Sequence, residues 1–291
     1  KELIAATGVD VTEAKTGIQP MLAAFSPGPE KPKTLFTRAF GRENNFLPMP
    51  GGHGQNFAVL RDVYRELLAK GIKYVSLGNV DNLGYTLDPV PLAITALLNR
   101  PGGFEFCFKT AVDIKGGILV IDQNNRLNCA DIGPAISKEE VLRAEKTGKK
   151  ILFNCAIGLF SLDYLVNNLD RIIDRLPVRF SEQNKDAGSY SQAEQITWEI
   201  IALMDAPLIF GVDKYHRFLA AKLLVESLMT SGLGLDDPRF PAAADPEKNL
   251  KAVAVKLHEG LTRKLETVYG MKLDGDIWRP KTLGELEKTQ W

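Results

Sequence analysis

Four short stretches of this chain carry side chains able to bind or polarise a ligand, most of them beside glycines that let a backbone come close. Asn79-Val80-Asp81-Asn82 joins one carboxylate to two amides. A lone carboxylate can hold Mg2+, which takes one or two protein carboxylates and completes its shell with water and substrate phosphates. The amides can bond a ribose or a base edge, because each is donor and acceptor at once. The competing reading is an Asx-turn or a helix cap, for which Asn and Asp are favoured. Gly52-His53-Gly54 stands just before a helical pattern. A helix start favours an anion and a neutral imidazole over a charged one. The plain alternative is a turn with an incidental histidine. Lys115-Gly116-Gly117 leads into an apolar run, where glycine can let a sugar lie on the backbone or can serve only a tight strand entry. Lys222, closing Arg217-Phe218-Leu219-Ala220-Ala221-Lys222, can offset phosphate charge as a point charge or be a solvated lysine. His216 and His258 sit at no metal-ligand spacing, and neither a nucleophile elbow nor a Walker loop is present.

The elements that must hold these groups follow from spacing and breakers. Residues 1–25 read as helical with a break near Gly17 and Pro20, and 26–33 as a Pro-rich loop. The apolar residues of 56–70 recur at three and four positions, predicting one amphipathic helix stopped by Gly71. The run 74–78 predicts a buried strand that delivers Asn79 and Asp81 at its C-terminal end. A helix over 92–98, a turn at 101–103 and a strand over 104–111 follow. Residues 117–121 and 126–132 flank "DQNN" as a hairpin. Ser137 caps a helix with an acidic first turn. A strand near 151–155, helices over 162–176 and 192–204, and a strand over 208–212 complete the pattern. Strands alternating with helices predict a mostly parallel sheet covered on both faces, with ligands beyond its strand ends. Residues 238–246 read as a linker. Leu250, Val253, Leu257, Leu261, Leu265 and Val268 then form a helical stripe, read as a helix packed on the main domain or as a dimer contact.

Composition excludes several classes. Lys plus Arg and Asp plus Glu number 36 each, so no net field draws the chain to nucleic acid or an anionic membrane. No apolar run nears the ~20 residues of a membrane span. Three scattered cysteines form neither a disulfide framework nor a zinc pattern, which fits a reducing, cytoplasmic setting. The start at Lys1 in place of Met leads us to expect further sequence upstream.

In their order the segments resemble the UTP–glucose-1-phosphate uridylyltransferase family, the UDP-glucose pyrophosphorylases. The family's "PPGHGD" resembles Pro50 to Gln55, and its "NxDNLGATVD" resembles Asn79 to Asp88. Its "ADVKGGTLI" is similar to Val112 to Val120, and its "FNTNNLW" to Phe153 to Phe160. Its "RFLPVKT" resembles Arg217 to Leu223, while "QLETAxGAAI" is only faintly echoed in 192–201. The resemblance spans about Pro48 to Leu233. It implies a glycosyltransferase-A-like, Rossmann-like α/β nucleotidyltransferase fold with a mixed, mostly parallel sheet. Residues 1–235 would form that domain and 236–291 a helical C-terminal extension. The implied reaction is UTP plus glucose 1-phosphate giving UDP-glucose and pyrophosphate, with Mg2+.

By position, the resemblance implies that Gly52 and Asn79 contact the nucleotide and His53 the sugar phosphate. It likewise places Gly117 and Asn154 near the hexose, Asp81 on Mg2+, and Lys222 as the catalytic charge. The chain departs from the family in three ways. It has no "GGxGTxxG" phosphate loop, so the expectation is a bacterial member lacking its first strand and loop. Ala156 replaces the second amide of "NTNN", and Cys129 stands where the family has a glutamate. The family's C-terminal β-helix is not visible. These changes leave open a pyrophosphorylase for another sugar, such as an N-acetylhexosamine, or a non-catalytic sugar-nucleotide binder.

Overall fold

The structure is a computed structural model, and it describes residues 14–29, 32–220, 234–238 and 250–287. In chain order, β1 (Met21–Ala23) pairs antiparallel with β2 (Pro48–Pro50). The helix expected over 1–25 is therefore corrected within 14–25, where a strand forms; residues 1–13 lie outside the described residues. The single helix expected over 56–70 is two, α1 (Asn56–Val59) and α2 (Arg61–Ala69). They are separated at Leu60, whose φ of −104° and ψ of 12° leave the helical region.

The main sheet has six strands: β3 (Tyr74–Gly78), β4 (Gly102–Phe108), β5 (Gly117–Ile121), β6 (Leu127–Asp131), β7 (Leu152–Ser161) and β10 (Leu208–Gly211). β7 is its axis. β4 runs antiparallel along one edge of β7, and β10 lies parallel outside β4. The other edge of β7 is shared. β3 takes Ile157 to Ser161, and β5 meets it at Phe153. β6 closes this side as the hairpin partner of β5. The mixed α/β sheet is as expected, but the majority of parallel pairs is not: β10–β4 is the one parallel pair in this sheet. β3, β4, β5 and β10 do point the same way, as βα alternation demands, but β7 runs back between them.

Alternation along β4 sorts its side chains onto two faces. Phe104 and Phe106 join Phe160, Phe57 and Tyr64 in a core closed by α5 (Leu162–Arg175), which follows α3 (Pro89–Leu97) and α4 (Lys138–Lys146). Leu162, Leu165, Leu169 and Ile172 of α5 are all buried, the inward stripe of a 3.6-residue period. The opposite face carries Cys107, Ile118, Phe153 and Cys155 against Val141 of α4. α4 begins with the expected serine cap: Ser137 accepts from the Glu140 N–H, and the Glu140 carboxylate returns to the Ser137 N–H.

The helix expected over 192–204 is absent. Instead β8 (Val178–Lys185) and β9 (Gly188–Gln195) form a hairpin, and a 3-10 turn covers Thr197–Leu203. Thr197 through Ile201 are buried without a break, so their apolar character never carried a helical period. After α6 (Lys214–Arg217) the described tail contains α7 (Leu250–Thr267), a β11–β12 hairpin (Met271–Asp274, Ile277–Pro280) and α8 (Leu283–Glu287). The linker expected over 238–246 falls almost wholly outside the described residues. Among the described residues no helix is long and apolar enough to cross a membrane.

Candidate functional site

β7 lacks a β3 or β5 partner on one edge at residues 154–156, between the end of β3 and the start of β5. Ala156 sits there at φ +53°, within an irregular register between β4 and β7. The Asn154 carboxamide oxygen holds this bend by accepting the Ala156 N–H at 2.9 Å. A cavity of about 490 Å³ opens over the gap. His53, Asn79, Gly117 and Asn154 all line it, so four motifs far apart in the chain meet at one place.

Each is positioned by an identifiable device. The His53 Nδ1 accepts the Thr197 backbone N–H at 3.2 Å and lies 2.7 Å from the Thr197 hydroxyl. A backbone N–H can only donate, so the Thr197 N–H contact matches a bare Nδ1 with the proton on Nε2. Asn79 follows β3 and donates its N–H to the Ala156 carbonyl at 3.3 Å. Gly117 is a glycine by necessity, because a Cβ there would stand 2.3 Å from the Cys129 Sγ.

Other residues play parts that the sequence did not show. Gly52 has φ +86°, and a Cβ on it would come within 2.4 Å of the Gln195 carbonyl oxygen, so packing against β9 already requires glycine there. Gly52 is not part of the cavity wall. Asn82 is fully engaged by protein. Its Nδ2 donates to the Cys155 and Arg217 carbonyls at 3.2 and 3.0 Å, and its Oδ1 accepts from Gly84 and Leu219 at 3.0 and 2.9 Å. That amide fastens the loop after β3 to the segment after α6, and the ligand role that the sequence allowed it is replaced by a structural one. Asp81 lies half-buried on the turn after β3, outside the cavity wall. Lys222 lies outside the described residues, although Ala220, two positions earlier, lines the cavity.

Sequence reasoning missed the opposite wall. Lys214 and Tyr215 of α6 and Val253 and Leu257 of α7 face the cavity, with Phe218 between them. α6 is anchored by Arg217, buried and bidentate to Glu105 of β4 at 2.6 and 2.7 Å, with Thr86 bonded as well. Asp213 caps α6 by accepting the Tyr215 N–H. α7 lies against α6 so closely that a Cβ on Gly260 would meet the Tyr215 carbonyl oxygen at 1.9 Å. Lys264, buried, donates to the His216 carbonyl at 3.1 Å, and Arg263 pairs with Asp213 at 2.9 Å. Burial lowers Lys264 to about 8. Burial also lowers His216.

Two further groups adjoin the loop wall. Glu199 is buried, and burial raises its carboxyl to about 7 against the pull of Arg179 at 2.9 Å; its second oxygen has no partner. Cys129, under Gly117, is held well above the usual thiol range by burial and by the Asp131 charge. It is therefore a protonated thiol rather than a nucleophile. Among the described residues no three His, Cys, Asp or Glu side chains converge as a metal cage.

Comparison with known proteins fits this geometry. A UTP–glucose-1-phosphate uridylyltransferase from Solanum tuberosum is 26% identical over 249 residues, which is 79% of this chain and 51% of the relative. A probable enzyme of that name from Schizosaccharomyces pombe is 29% identical over 140 residues, 47% of this chain and 28% of the relative. At best, then, the chain spans about half the length of these relatives. Among solved structures, a UDP-glucose phosphorylase from Trypanosoma brucei matches with a TM-score of 0.64 at 22% identity, covering 78% of this chain and 50% of that one. A UDP-glucose pyrophosphorylase from Leishmania major matches at 0.60 and 20%, covering 78% and 51%. Those likenesses establish that the chain shares its fold with these two proteins. The sequence profile of the UTP–glucose-1-phosphate uridylyltransferases matches residues 32–230, more than half of the chain and every cavity-lining loop from His53 to Ala220, and by that match the chain belongs to this family.

Proposed function

We propose that this chain carries the sugar-nucleotide site of a UTP–glucose-1-phosphate uridylyltransferase, forming UDP-glucose and pyrophosphate from UTP and glucose 1-phosphate. One observation carries the reading: His53, Asn79, Gly117 and Asn154, each implied by a separate motif, line a single cavity. A variant of the Leishmania major relative has been solved with UDP-glucose bound.

In this reaction an oxygen of the sugar phosphate attacks the α-phosphorus in line, and pyrophosphate leaves. The protein's task is to align the two anions and offset their charge. The neutral His53 offers its Nε2 proton to a phosphate oxygen. Asn79 holds the nucleotide, and Gly117 keeps the floor low enough for the hexose. Lys222 balances charge at the transferred group, and Gly52 brings the loop backbone toward the nucleotide. Mg2+, when bound, would supply charge neutralisation for the phosphates. Asp81 suits it as a single carboxylate, because no all-protein cage is on offer among the described residues and Mg2+ leans on substrate phosphates for the rest. Three buried free thiols support a reducing, cytoplasmic setting.

Titration calorimetry of the chain with UDP-glucose and UDP-N-acetylglucosamine tests this directly. Binding of UDP-glucose, weakened by roughly tenfold or more in Asn79→Ala, is expected for a lost charged-ligand hydrogen bond. Equal binding of UDP-glucose and an unrelated purine nucleotide would remove the proposal.

A further inference from the structure

Among the described residues, Lys214 is the one residue of the helical wall that brings a charge to the cavity without lying exposed at its rim. Its side chain is 11% exposed, and Asp113, its carboxylate partner, is 7% exposed. The Lys214 ammonium donates to the Thr110 hydroxyl at 2.7 Å and to the Asp113 Oδ2. That same carboxylate oxygen also accepts the Thr110 N–H and hydroxyl, at 2.7 and 2.8 Å. An ammonium has three protons. Two have these partners, and the third has no hydrogen-bond acceptor among the described residues, with the Tyr215 ring 5.7 Å away, on a side chain that lines the cavity.

A buried ion pair kept only for stability would gain from replacement by apolar groups, since desolvation offsets most of its attraction. Here the pair borders open space, and its cation has one proton without a hydrogen-bond acceptor among the described residues. Without Lys214 the charged lining residues among those described are two carboxylates, Asp113 and Asp131, against one exposed lysine, Lys115. The mounting of Lys214 is also unusually well fixed. It opens a four-residue helix that is capped by Asp213, clamped to β4 through Arg217 and pressed by Gly260 of α7. A lysine held in this way presents a donor at a set position with little side-chain freedom left to lose on binding.

We propose that Lys214 is a phosphate-binding residue of this cavity, oriented by Asp113 and Thr110 and by the helical clamp. It would take a phosphate oxygen of the sugar nucleotide, or of the pyrophosphate that leaves. The proposal rests on reading the cavity as a sugar-phosphate site, and it concerns a residue distinct from Lys222.

The test measures pyrophosphate and UDP-glucose binding separately, by calorimetry and 31P NMR, on the wild-type chain and on Lys214→Met, Lys214→Arg and Lys185→Met. Lys185 is exposed on β8, so its variant controls for lost net charge. Lys214→Met is expected to weaken pyrophosphate by roughly tenfold or more, the usual consequence of losing a charged hydrogen bond. Lys214→Arg is expected to recover most of the affinity, and Lys185→Met to leave it unchanged. Should Lys214→Met prove unstable, the double variant Lys214→Met/Asp113→Asn removes both charges and is expected to show the same loss. Pyrophosphate binding that depends on Lys214 while UDP-glucose fails to bind would keep this assignment and discard the sugar-nucleotide reading. Equal pyrophosphate affinity in wild type and both Met variants overturns it, whatever happens to their melting temperatures. So does a wild-type chain that binds no pyrophosphate.

Discussion

The cavity has two walls built on different principles. One consists of loops at strand ends, carrying His53, Asn79, Gly117 and Asn154; the other consists of two helices, carrying Lys214, Tyr215, Val253 and Leu257. The loop wall is held by hydrogen bonds from backbone N–H groups, such as Thr197 N–H to the His53 ring and Asn79 N–H to Ala156. The helical wall is held by close packing and ion pairs: Gly260 on Tyr215, Arg263 on Asp213, Arg217 on Glu105. A loop wall announces itself in short motifs because each loop does its work locally. A helical wall does not, because its members are set by contacts across long stretches of chain.

Variants can separate the two walls. Arg217 joins them, since it ties α6 to β4 and to Thr86 beyond the Asn79 loop. Arg217→Ala leaves Glu105 buried and unpaired, and about 3–5 kcal/mol of stability is expected to be lost in urea unfolding. Binding should fail on both sides at once, and a cavity unaffected by this change would mean that the walls stand independently. Glu199→Gln acts beside the loop wall with the opposite sign. Because burial raises the Glu199 carboxyl from 4.5 to about 7, its contribution is whole below pH 4.5 and is lost as pH rises through 7. Above pH 7.5 the Gln variant is expected to be more stable by about 2–3 kcal/mol, with a flatter profile of melting temperature against pH. A profile that parallels wild type would show that Glu199 does not titrate there.

Gly260→Ala strikes the helical wall alone. The added methyl meets backbone at Tyr215, and overpacking of that kind costs about 1–3 kcal/mol. Pyrophosphate binding should weaken while the environment of His53, followed by NMR, holds; a His53 shift as large as that of Tyr215 would erase the distinction. Ser137→Ala touches neither wall. Loss of its cap is expected to cost about 1 kcal/mol with ligand binding unchanged.

How much could be read from the chain follows the same division. The strand at Tyr74–Gly78 and the hairpin of β5 and β6 were legible as short apolar runs bounded by turn residues, and the helix Leu162–Arg175 because one buried face imposes a period on it. The turn at Thr197–Leu203 was read as a helix because it is buried all round, and burial without an exposed face leaves no period to detect. Gly52 drew attention as a ligand loop, yet its need for glycine comes from Gln195, far along the chain. The stripe of the C-terminal helix was visible, but apolarity alone cannot tell a residue facing core from one facing a cavity; Val253 and Leu257 pack with Leu219 and Ala254 and also line the cavity. Lys214 carried no motif, and only the fold brings it to Asp113 and Thr110.

The divided edge of β7 has a mechanical side. Two hydrogen-bonded plates, one holding β3 and the other β5 and β6, share a single beam and are not stitched to each other along residues 154–156, where one bond from Asn79 to Ala156 reaches across. Such a joint is compliant in the direction that opens the slit and stiff in the others. A ligand seated there acts as a rivet. Its binding is therefore expected to slow amide exchange in β3 and in β5 together, two strands that make no bond with each other, and to leave the β8–β9 hairpin unchanged.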